Sequence, residues 1–234
     1  NDLFDYPNRY IMQIKDGFKF SLDSLLLAEF TKLRQSDKLI LDMCTGNAPV
    51  PLVLSLKTDA KIIGFELQRD IAELAWESIS INGLDKQIKV INDDVKNIGE
   101  FFKPNTFDVI TCNPPYFKIN DAKNKNKNDY LTLARHEIAI DLETIFKLVN
   151  RFLKDNGVFY MVHRAERLDE IIILANKYKL NVKEIQFIST KKNNNPSTIL
   201  VKCVKNSKIG VKIKREICVD NLSTYQHLFE GSGK

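Results

Sequence analysis

Residues 38–48, with the sequence KLILDMCTGNA, form a short apolar run that ends in an aspartate and a glycine-containing turn. Similar apolar segments recur at 60–67, 86–93 and 106–112, and a helical pattern fills each of the first two intervals. Strands that alternate with helices predict right-handed crossovers and a largely parallel sheet. A ligand of such a sheet binds beyond the carboxyl ends of the strands. The residues that follow each strand are therefore the first candidates for a functional site.

The same pattern continues through most of the chain. The predicted strands are 38–44, 60–67, 86–93, 106–112, 158–163, 181–189 and 198–205. The predicted helices are 49–57, 69–83, 141–154 and 165–178. Residues 21–30 predict an N-capped amphipathic helix over the sheet, and 209–219 alternate like an edge strand. We expect one α/β domain, in which residues 1–37 are an N-terminal extension packing on the core formed by 38–234.

Composition restricts the class of protein. At 234 residues and 44% hydrophobic, the chain can bury a full core, and no apolar run reaches the roughly 18 residues of a membrane span. The four cysteines form no C-x-x-C pair, so we expect reduced thiols in a cytoplasmic protein, without a metal site. The net charge of +5 is concentrated in lysine clusters, including 118–127 and 191–196. This distribution fits a polyanionic partner. Separately, we expect the protein to be a monomer.

The turn after the first strand suits a cofactor that carries positive charge. Small residues around Gly46 let backbone amides approach a ligand closely. The Gly-x-Gly-x-x-Gly pattern of a dinucleotide site is absent, and Asp42 would repel a diphosphate. The sulfonium and ammonium groups of S-adenosylmethionine fit this carboxylate, although Cys44 and Ala48 stand where glycine is common.

Acidic residues end the next two strands in the order that such a cofactor requires. Glu66 is expected to bond the two ribose hydroxyls. Asp94 is expected to accept the adenine amino group, with Val95 lending a backbone N–H and an apolar face. Asp93 is a candidate helix N-cap.

The fourth strand ends in Asn-Pro-Pro-Tyr, residues 113–116. Proline has no N–H and fixes φ, so the turn is stiff. The side-chain oxygen of Asn113 and the carbonyl of Pro114 can each accept one N–H of a planar exocyclic amine, which directs its lone pair at a methyl sulfonium. Tyr116 offers a face on which a flipped base can stack. The turn therefore predicts methyl transfer to an amine nitrogen.

This turn resembles that of the amino-methyltransferases that act on adenine N6, cytosine N4 or protein glutamine. Over residues 4–220 the chain more closely resembles the bacterial tRNA adenine-N6 methyltransferases that modify adenosine 37 of a valine tRNA. The matching segments are 17–30, 41–55, 113–118, 134–138 and 163–172. The resemblance implies a Rossmann-like S-adenosylmethionine-dependent methyltransferase fold, with a mostly parallel seven-stranded sheet flanked by helices. It also implies methylation of adenine N6 in tRNA.

The resemblance and the motifs together give a full set of expected site residues. Phe20, Asp23 and Ser24 are implied to close the cofactor pocket, and Arg135 and His136 to lie near it. The catalytic residues are Asn113, Pro114 and Tyr116. The expected cofactor residues are Phe20, Asp23, Asp42, Thr45, Gly46, Asn47, Glu66, Leu67, Asp94, Val95 and Asn113. The expected RNA contacts are Tyr116, Phe117, Lys118, Lys123, Lys125, Lys127, Arg135, His136, Arg164, Lys191 and Lys192, several of them in a predicted mobile loop at 117–129.

Four other functions use part of the same sequence pattern. A protein-glutamine N5 methyltransferase uses the same turn but usually carries an added N-terminal helical domain. An rRNA guanine-N2 methyltransferase generally has a duplicated domain, and DNA adenine methylation usually needs a separate target-recognition region. A non-catalytic RNA-binding module needs no amine-binding turn. The first two stay open as alternatives.

Overall fold

One twisted sheet organises the residues that the structure, a computed structural model, describes: 3, 6, 9–13, 21–115, 140–191 and 194–219. The strands are β1 (Leu39–Asp42), β2 (Lys61–Phe65), β3 (Ile88–Ile91), β4 (Phe107–Cys112), β5 (Leu153–Arg164), β6 (Leu180–Ser189), β7 (Thr198–Lys205), β8 (Lys212–Ile213) and β9 (Ile217–Cys218). The helices are α1 (Leu22–Phe30), α2 (Pro49–Leu54), α3 (Arg69–Ile81), α4 (Leu142–Phe152) and α5 (Leu168–Lys177). Two 3₁₀ helices cover Val95–Glu100 and Ala165–Arg167.

The strand order is β3-β2-β1-β4-β5-β7-β6-β8, and β9 also pairs with β6. Strands β1 to β5 run parallel to one another, whereas β7 runs antiparallel between β5 and β6. The expected α/β sheet of seven strands, mostly parallel, is confirmed. Strands β8 and β9, each of two residues, both pair with β6 in the parallel direction.

Two apolar layers cover the faces of the sheet, which is why its central strands are apolar in nearly every position. On one face, Ile40 and Val109 pack with residues of α1, α2 and α3. On the other face, Leu41 and Ile110 pack with α4, α5 and the first 3₁₀ helix. The order of strands reverses between β1 and β4, so a crevice opens at their carboxyl ends.

Helix α1 differs from its prediction. Six of its nine residues, Ser24–Ala28 and Phe30, are buried, so it is not an amphipathic surface helix. Its continuous run of leucines is accommodated because α1 packs against both α2 and β5. The Ser21 side chain occupies the N-cap position but makes no capping hydrogen bond.

The starts of two elements differ from the predicted ones. The helix predicted from residue 165 begins with a 3₁₀ turn and becomes α-helical only at Leu168. Strand β5 begins at Leu153, five residues before the predicted start at 158. It directly follows α4, which ends at Phe152.

The N-terminal residues that the structure describes lie on the same core. Leu3, Tyr6 and Ile11 belong to the buried cluster on the α1–α3 face. The backbone of Tyr10 exchanges hydrogen bonds with the Asn82 side chain at the end of α3, of 2.9 and 2.6 Å. In the described part of the chain, no helix has the length and apolar character needed to cross a membrane.

Candidate active site

A cavity of about 300 Å³ lies at the carboxyl ends of β1 to β4. This volume falls at the lower end of the roughly 300–1,000 Å³ typical of small-molecule sites. Four segments form its wall: the turn after β1, the residues after β2 and β3, and the turn after β4. The first turn of α1 and Ile140 complete it. The predicted location of the site, beyond the ends of successive strands, is therefore where the structure has its cavity.

The turn after β1 is held in place by the end of β2. The N–H of Thr45 donates to the carbonyl of Phe65 (2.9 Å), and the N–H of Ala48 donates back to Thr45 (3.0 Å). Gly46 and Ala48 have positive φ, of 55° and 71°, so the chain reverses within a few residues and enters α2. A Cβ on Gly64 would lie 2.8 Å from the Thr45 side chain, which shows how closely β2 and the turn pack.

Three predicted cofactor residues of this turn line the cavity: Thr45, Gly46 and Asn47. Asn47 is fully buried, and its Nδ2 donates to the carbonyl of Met12 (2.7 Å). Its Oδ1 has no hydrogen-bond partner among the residues that the structure describes. A buried acceptor without a partner is costly. This oxygen is itself inaccessible, so Asn47 supports the turn from within.

Glu66 lies on the wall directly after β2 and is tied to the backbone. Its Oε2 accepts from the N–H of Gly46 (3.0 Å), and its Oε1 accepts from the N–H of Gln68 (2.9 Å). Burial raises the pKa of Glu66, and these two amide donors oppose that rise. Each carboxylate oxygen keeps acceptor capacity beyond one bond, so a fixed carboxylate can still bind two ligand hydroxyls.

Asp42 differs from its prediction as a direct cofactor contact. It does not line the cavity and is only 1% exposed. Its Oδ1 accepts from the Thr111 hydroxyl at 2.7 Å. Burial raises the pKa of Asp42 to about 6, although the hydroxyls of Thr111 and Thr45 oppose the shift. Any effect of Asp42 on a ligand in the cavity is electrostatic and acts across the turn.

The N-cap of the helix after β3 is Asp94 and not Asp93, which we predicted from the sequence. Asp94 is the N-cap of the 3₁₀ helix, and its Oδ1 accepts from the N–H of Lys96 (2.9 Å). Asp93 instead accepts from the N–H of Asp94 (2.7 Å) and from the Asn97 amide (2.8 Å). Both aspartates and Val95 line the cavity; of these, Asp94 and Val95 are predicted cofactor residues.

The turn after β4 brings Asn113 to the opposite wall. Asn113, Pro114 and Pro115 all line the cavity. The Nδ2 of Asn113 donates to the Ser24 hydroxyl at 2.9 Å and lies 3.4 Å from the Ser21 hydroxyl. Because an amide is planar, this contact turns Oδ1 away from the two serines. The sequence did not predict that α1 holds this amide.

Asp23 reaches the cavity from the same helix turn. Burial raises its pKa, and the positive charge of Arg164 opposes that rise. Arg164 is the last residue of β5 and does not line the cavity. The effect of its charge on Asp23 shows that a predicted RNA-binding residue lies near a predicted cofactor residue.

The remaining predicted residues divide into two groups. Leu67 lines the cavity and is 41% exposed. Lys191 is exposed just after β6 and does not line the cavity. The following predicted residues, and the loop at 117–129, lie outside the described residues: Phe20, Tyr116, Phe117, Lys118, Lys123, Lys125, Lys127, Arg135, His136 and Lys192.

Several wall residues were not predicted. They are Ser21, Met43, Cys44, Pro49, Phe65, Gln68, Asp93, Pro115 and Ile140. Most of them adjoin a predicted residue, so extending each motif by one position would have found them. Ile140 has no such signal, because it precedes α4 and comes from a different part of the sequence.

The side chains that line the cavity indicate the charge of the ligand that it can bind. Asp23, Glu66, Asp93 and Asp94 place carboxyl groups around it, and Met43, Phe65 and Val95 supply apolar surface. Carboxyl groups repel phosphates and favour a ligand with positive charge. Among the described residues, no group of three or more His, Cys, Asp or Glu side chains could hold a metal ion. The wall fits a nucleoside with cationic groups, as S-adenosylmethionine is.

Comparisons with known proteins identify the family of the chain. A family model described as "Methyltransferase domain" matches residues 34–217. A protein of Phocaeicola vulgatus named tRNA1(Val) (adenine(37)-N6)-methyltransferase is 26% identical over 202 residues, covering 86% of this chain and 83% of that protein. A protein of the same name from Bacteroides thetaiotaomicron is 26% identical over 215 residues, covering 91% and 87%. These relatives confirm the resemblance drawn from the motifs.

A solved structure supports the fold. A protein of Agrobacterium tumefaciens described as a predicted O-methyltransferase superposes with a TM-score of 0.69 at 16% identity. The match covers 90% of this chain and 96% of that one. At this level of identity the likeness concerns the arrangement of strands and helices alone.

Proposed function

The chain belongs to the methyltransferase-domain family, and from this premise we propose that it transfers a methyl group from S-adenosylmethionine to N6 of adenine in tRNA. The substrate position is adenosine 37 of tRNA1(Val), the one that appears in the names of its relatives. The observation that carries the proposal is the Asn113 amide at the end of β4, which faces a cavity bounded by carboxyl groups.

The cofactor residues act by hydrogen bonding and by charge. Glu66 accepts hydrogen bonds from the ribose hydroxyls, since two backbone amides already fix its orientation. Asp94 accepts from the adenine amino group, and Val95 packs against the base. The remaining cofactor residues that we propose are Phe20, Asp23, Thr45, Gly46, Asn47, Leu67 and Asn113, with Asp42 acting through its charge. When bound, S-adenosylmethionine supplies an electrophilic methyl group on a positively charged sulfur.

Asn113 and Pro114 prepare the substrate nitrogen. The lone pair of an adenine amine is delocalised into the ring, which makes the nitrogen a weak nucleophile. Oδ1 of Asn113 and the carbonyl of Pro114 each accept one N–H, which favours pyramidal geometry. Both acceptors are fixed before the reaction, so their stabilisation grows as positive charge develops on the nitrogen. Transfer is then an in-line displacement governed by positioning. The nitrogen–methyl bond would form as the sulfur–methyl bond breaks, S-adenosylhomocysteine would be the leaving group, and the methylated nitrogen would lose its proton to water or to these acceptors.

Tyr116 stacks on the flipped adenine, and basic residues bind the RNA backbone. Stacking of a base on an aromatic ring contributes about 1–3 kcal/mol. The other RNA contacts that we propose are Phe117, Lys118, Lys123, Lys125, Lys127, Arg135, His136, Arg164, Lys191 and Lys192. Arg135 and Arg164 suit phosphate binding in particular.

We also propose that the chain acts as a monomer with a single domain. In this arrangement residues 1–37 are an extension on the core of 38–234; the burial of Leu3 and Tyr6 supports it. Its tRNA substrate places the enzyme in the cytoplasm. The names of its relatives favour tRNA adenine over the protein-glutamine and guanine-N2 alternatives.

Mass spectrometry of nucleosides tests the function. The protein is incubated with methyl-labelled S-adenosylmethionine and unmodified tRNA1(Val), and the RNA is digested. We expect label in N6-methyladenosine, and none when adenosine 37 is replaced by guanosine. Label on guanosine, or on a co-incubated peptide in place of RNA, would overturn the assignment.

A further inference from the structure

The side chain of Asn113 is held by a serine from a distant part of the sequence. The Nδ2 of Asn113 donates to the Ser24 hydroxyl at 2.9 Å. Ser24 is only 6% exposed, in the first turn of α1. The hydroxyl of Ser21 is farther from the same nitrogen, at 3.4 Å, and Ser21 is exposed. Ser24 is therefore the stronger of the two contacts.

The orientation of an amide matters in this position because its two ends have opposite hydrogen-bonding character. The oxygen accepts hydrogen bonds, whereas the nitrogen carries two donors and accepts none. If Asn113 were turned by half a rotation, an NH₂ group would face the substrate amine, which needs an acceptor. Two donors facing each other would leave the amine without its partner. A correct amide orientation is therefore a requirement of the proposed chemistry.

Helix α1 fixes the position of the Ser24 hydroxyl. Leu25–Ala28 are at most 3% exposed, so the helix cannot shift without disturbing the core. The N–H of Ser24 also donates to the carbonyl of Ser21 (3.1 Å), which fixes the start of the helix. With Nδ2 bonded to this fixed hydroxyl, Oδ1 lies on the other side of the planar amide.

We propose that Ser24 is a positioning residue for methyl transfer: its hydroxyl accepts from Nδ2 of Asn113 and so keeps Oδ1 directed at the substrate amine. The inference rests on the proposed function and adds to it a residue that acts through Asn113. Ser21 supports the same orientation more weakly.

Single-turnover kinetics of the full chain with tRNA1(Val) test this role. Ser24→Ala loses the partner of Nδ2, and we expect the rate to fall roughly five- to tenfold, which corresponds to the loss of about one hydrogen bond. Cofactor affinity, measured by calorimetry, should change less than about twofold. Thr31→Val is the matched control, because Thr31 is a buried hydroxyl at the other end of α1 that bonds only within the helix, to Leu27. It should leave the rate unchanged.

A double-mutant cycle separates orientation from general stability. In Asn113→Asp both side-chain oxygens are acceptors, so no orientation of the side chain presents a donor to the amine. We expect this variant to be slower than wild type but measurably active, because its carboxylate carries a charge that the amide lacks. We expect Ser24→Ala to slow it further by less than about twofold. An equal fold loss in both backgrounds, or an Asn113→Asp enzyme without activity, would overturn the proposal. Wild-type rates in Ser24→Ala would do the same while leaving the proposed function intact. A wild-type protein that methylates no adenine would remove both.

Discussion

Asp42 and Asp108 are two aspartates whose environments move their pKa values in opposite directions. Burial raises the pKa of Asp42 to about 6 from an ordinary value of 3.8. Asp108 is partly buried, which alone would raise its pKa, but Lys154 and the amides of Lys38 and Leu39 bond its carboxylate and bring the pKa below its ordinary value. Each shift links folding stability to pH, with opposite sign.

Replacing Asp42 should change how stability depends on pH. Between about pH 4 and 6 the folded protein binds more protons at Asp42 than the unfolded chain does, so this group lowers stability as pH rises through that range. Asp42→Asn removes the effect while keeping an acceptor for Thr111. We expect the variant to gain stability relative to wild type as pH rises from about 4 to 7, by on the order of 2–3 kcal/mol. Urea denaturation of the cofactor-free protein at several pH values measures this.

Asp108→Asn is the control of opposite sign. The carboxylate of Asp108 contributes stability above its ordinary pKa, and that contribution is lost as pH falls. This variant should be less stable than wild type at neutral pH, with the difference closing below about pH 4. A stability difference between wild type and Asp42→Asn that stays constant over the same range would contradict the description of Asp42 as a buried carboxyl group with a raised pKa.

Single residues were predictable where strand ends decide their place. Glu66, Asp94 and Asn113 each follow a strand, and parallel strands bring their carboxyl ends to one edge. The direction of a side chain is not set by that rule. Asp42 is therefore buried against Thr111 and does not line the cavity, and the contact of Asn113 with Ser24 joins residues 89 positions apart.

At the scale of elements, the close packing of β2 against the β1–α2 turn determines the shape of the cofactor site. The turn includes Ala48 in a left-handed conformation, with φ of 71°. Such a conformation costs a non-glycine residue roughly 1–2 kcal/mol. The surrounding contacts, including the Thr45–Phe65 hydrogen bond, must hold this turn in place.

Gly64→Ala should disturb that turn. The added Cβ would lie 2.8 Å from atoms of the Thr45 side chain, and overpacking of this kind costs about 1–3 kcal/mol. Since Thr45 lines the cavity, we expect both a lower thermal midpoint and weaker cofactor binding by calorimetry. Gly99→Ala is the control, because its Cβ would have no neighbour closer than 3.7 Å. Unchanged cofactor affinity in Gly64→Ala would show that the turn does not depend on β2.

The strands and most helices were predictable because alternating apolar segments of standard length have few arrangements. The 3₁₀ helix Val95–Glu100 was not, since six residues are too few to show a helical period. The burial of α1 was missed for a different reason. We predicted an amphipathic helix at 21–30, but the sequence LDSLLLAEF places apolar residues on nearly every side of the helix.

At the scale of the whole molecule, the chain carries a net charge of +5, and its placement matters more than its size. Carboxyl groups surround the cavity, whereas the predicted RNA contacts outside it are mainly lysines and arginines. A cationic cofactor and a polyanionic RNA would then approach the same edge of the sheet through different groups.

Neutralising Lys123, Lys125 and Lys127 should weaken RNA binding. If each binds one phosphate, the log–log dependence of affinity on salt should flatten by about 0.7–0.9 per lysine. Fluorescence anisotropy of labelled tRNA1(Val) over about 50–200 mM salt measures this. The control replaces Lys38, Lys61 and Lys86, which are exposed near the amino ends of β1 to β3, at the edge opposite the cavity. Equal slopes for wild type and the first variant would remove these lysines from the RNA-binding surface.

The most direct test of the account is the rate of methyl transfer by Asn113→Ala, measured together with its affinity for S-adenosylmethionine. Removing one preorganised acceptor should lower the single-turnover rate by roughly 10²–10³-fold, as losing one such hydrogen bond to a transition state does. The affinity for S-adenosylmethionine should fall far less, because Asn113 is only one of the proposed cofactor contacts. If cofactor binding fell in parallel with the rate, or if the rate held, Asn113 would not be the group that prepares the adenine amine.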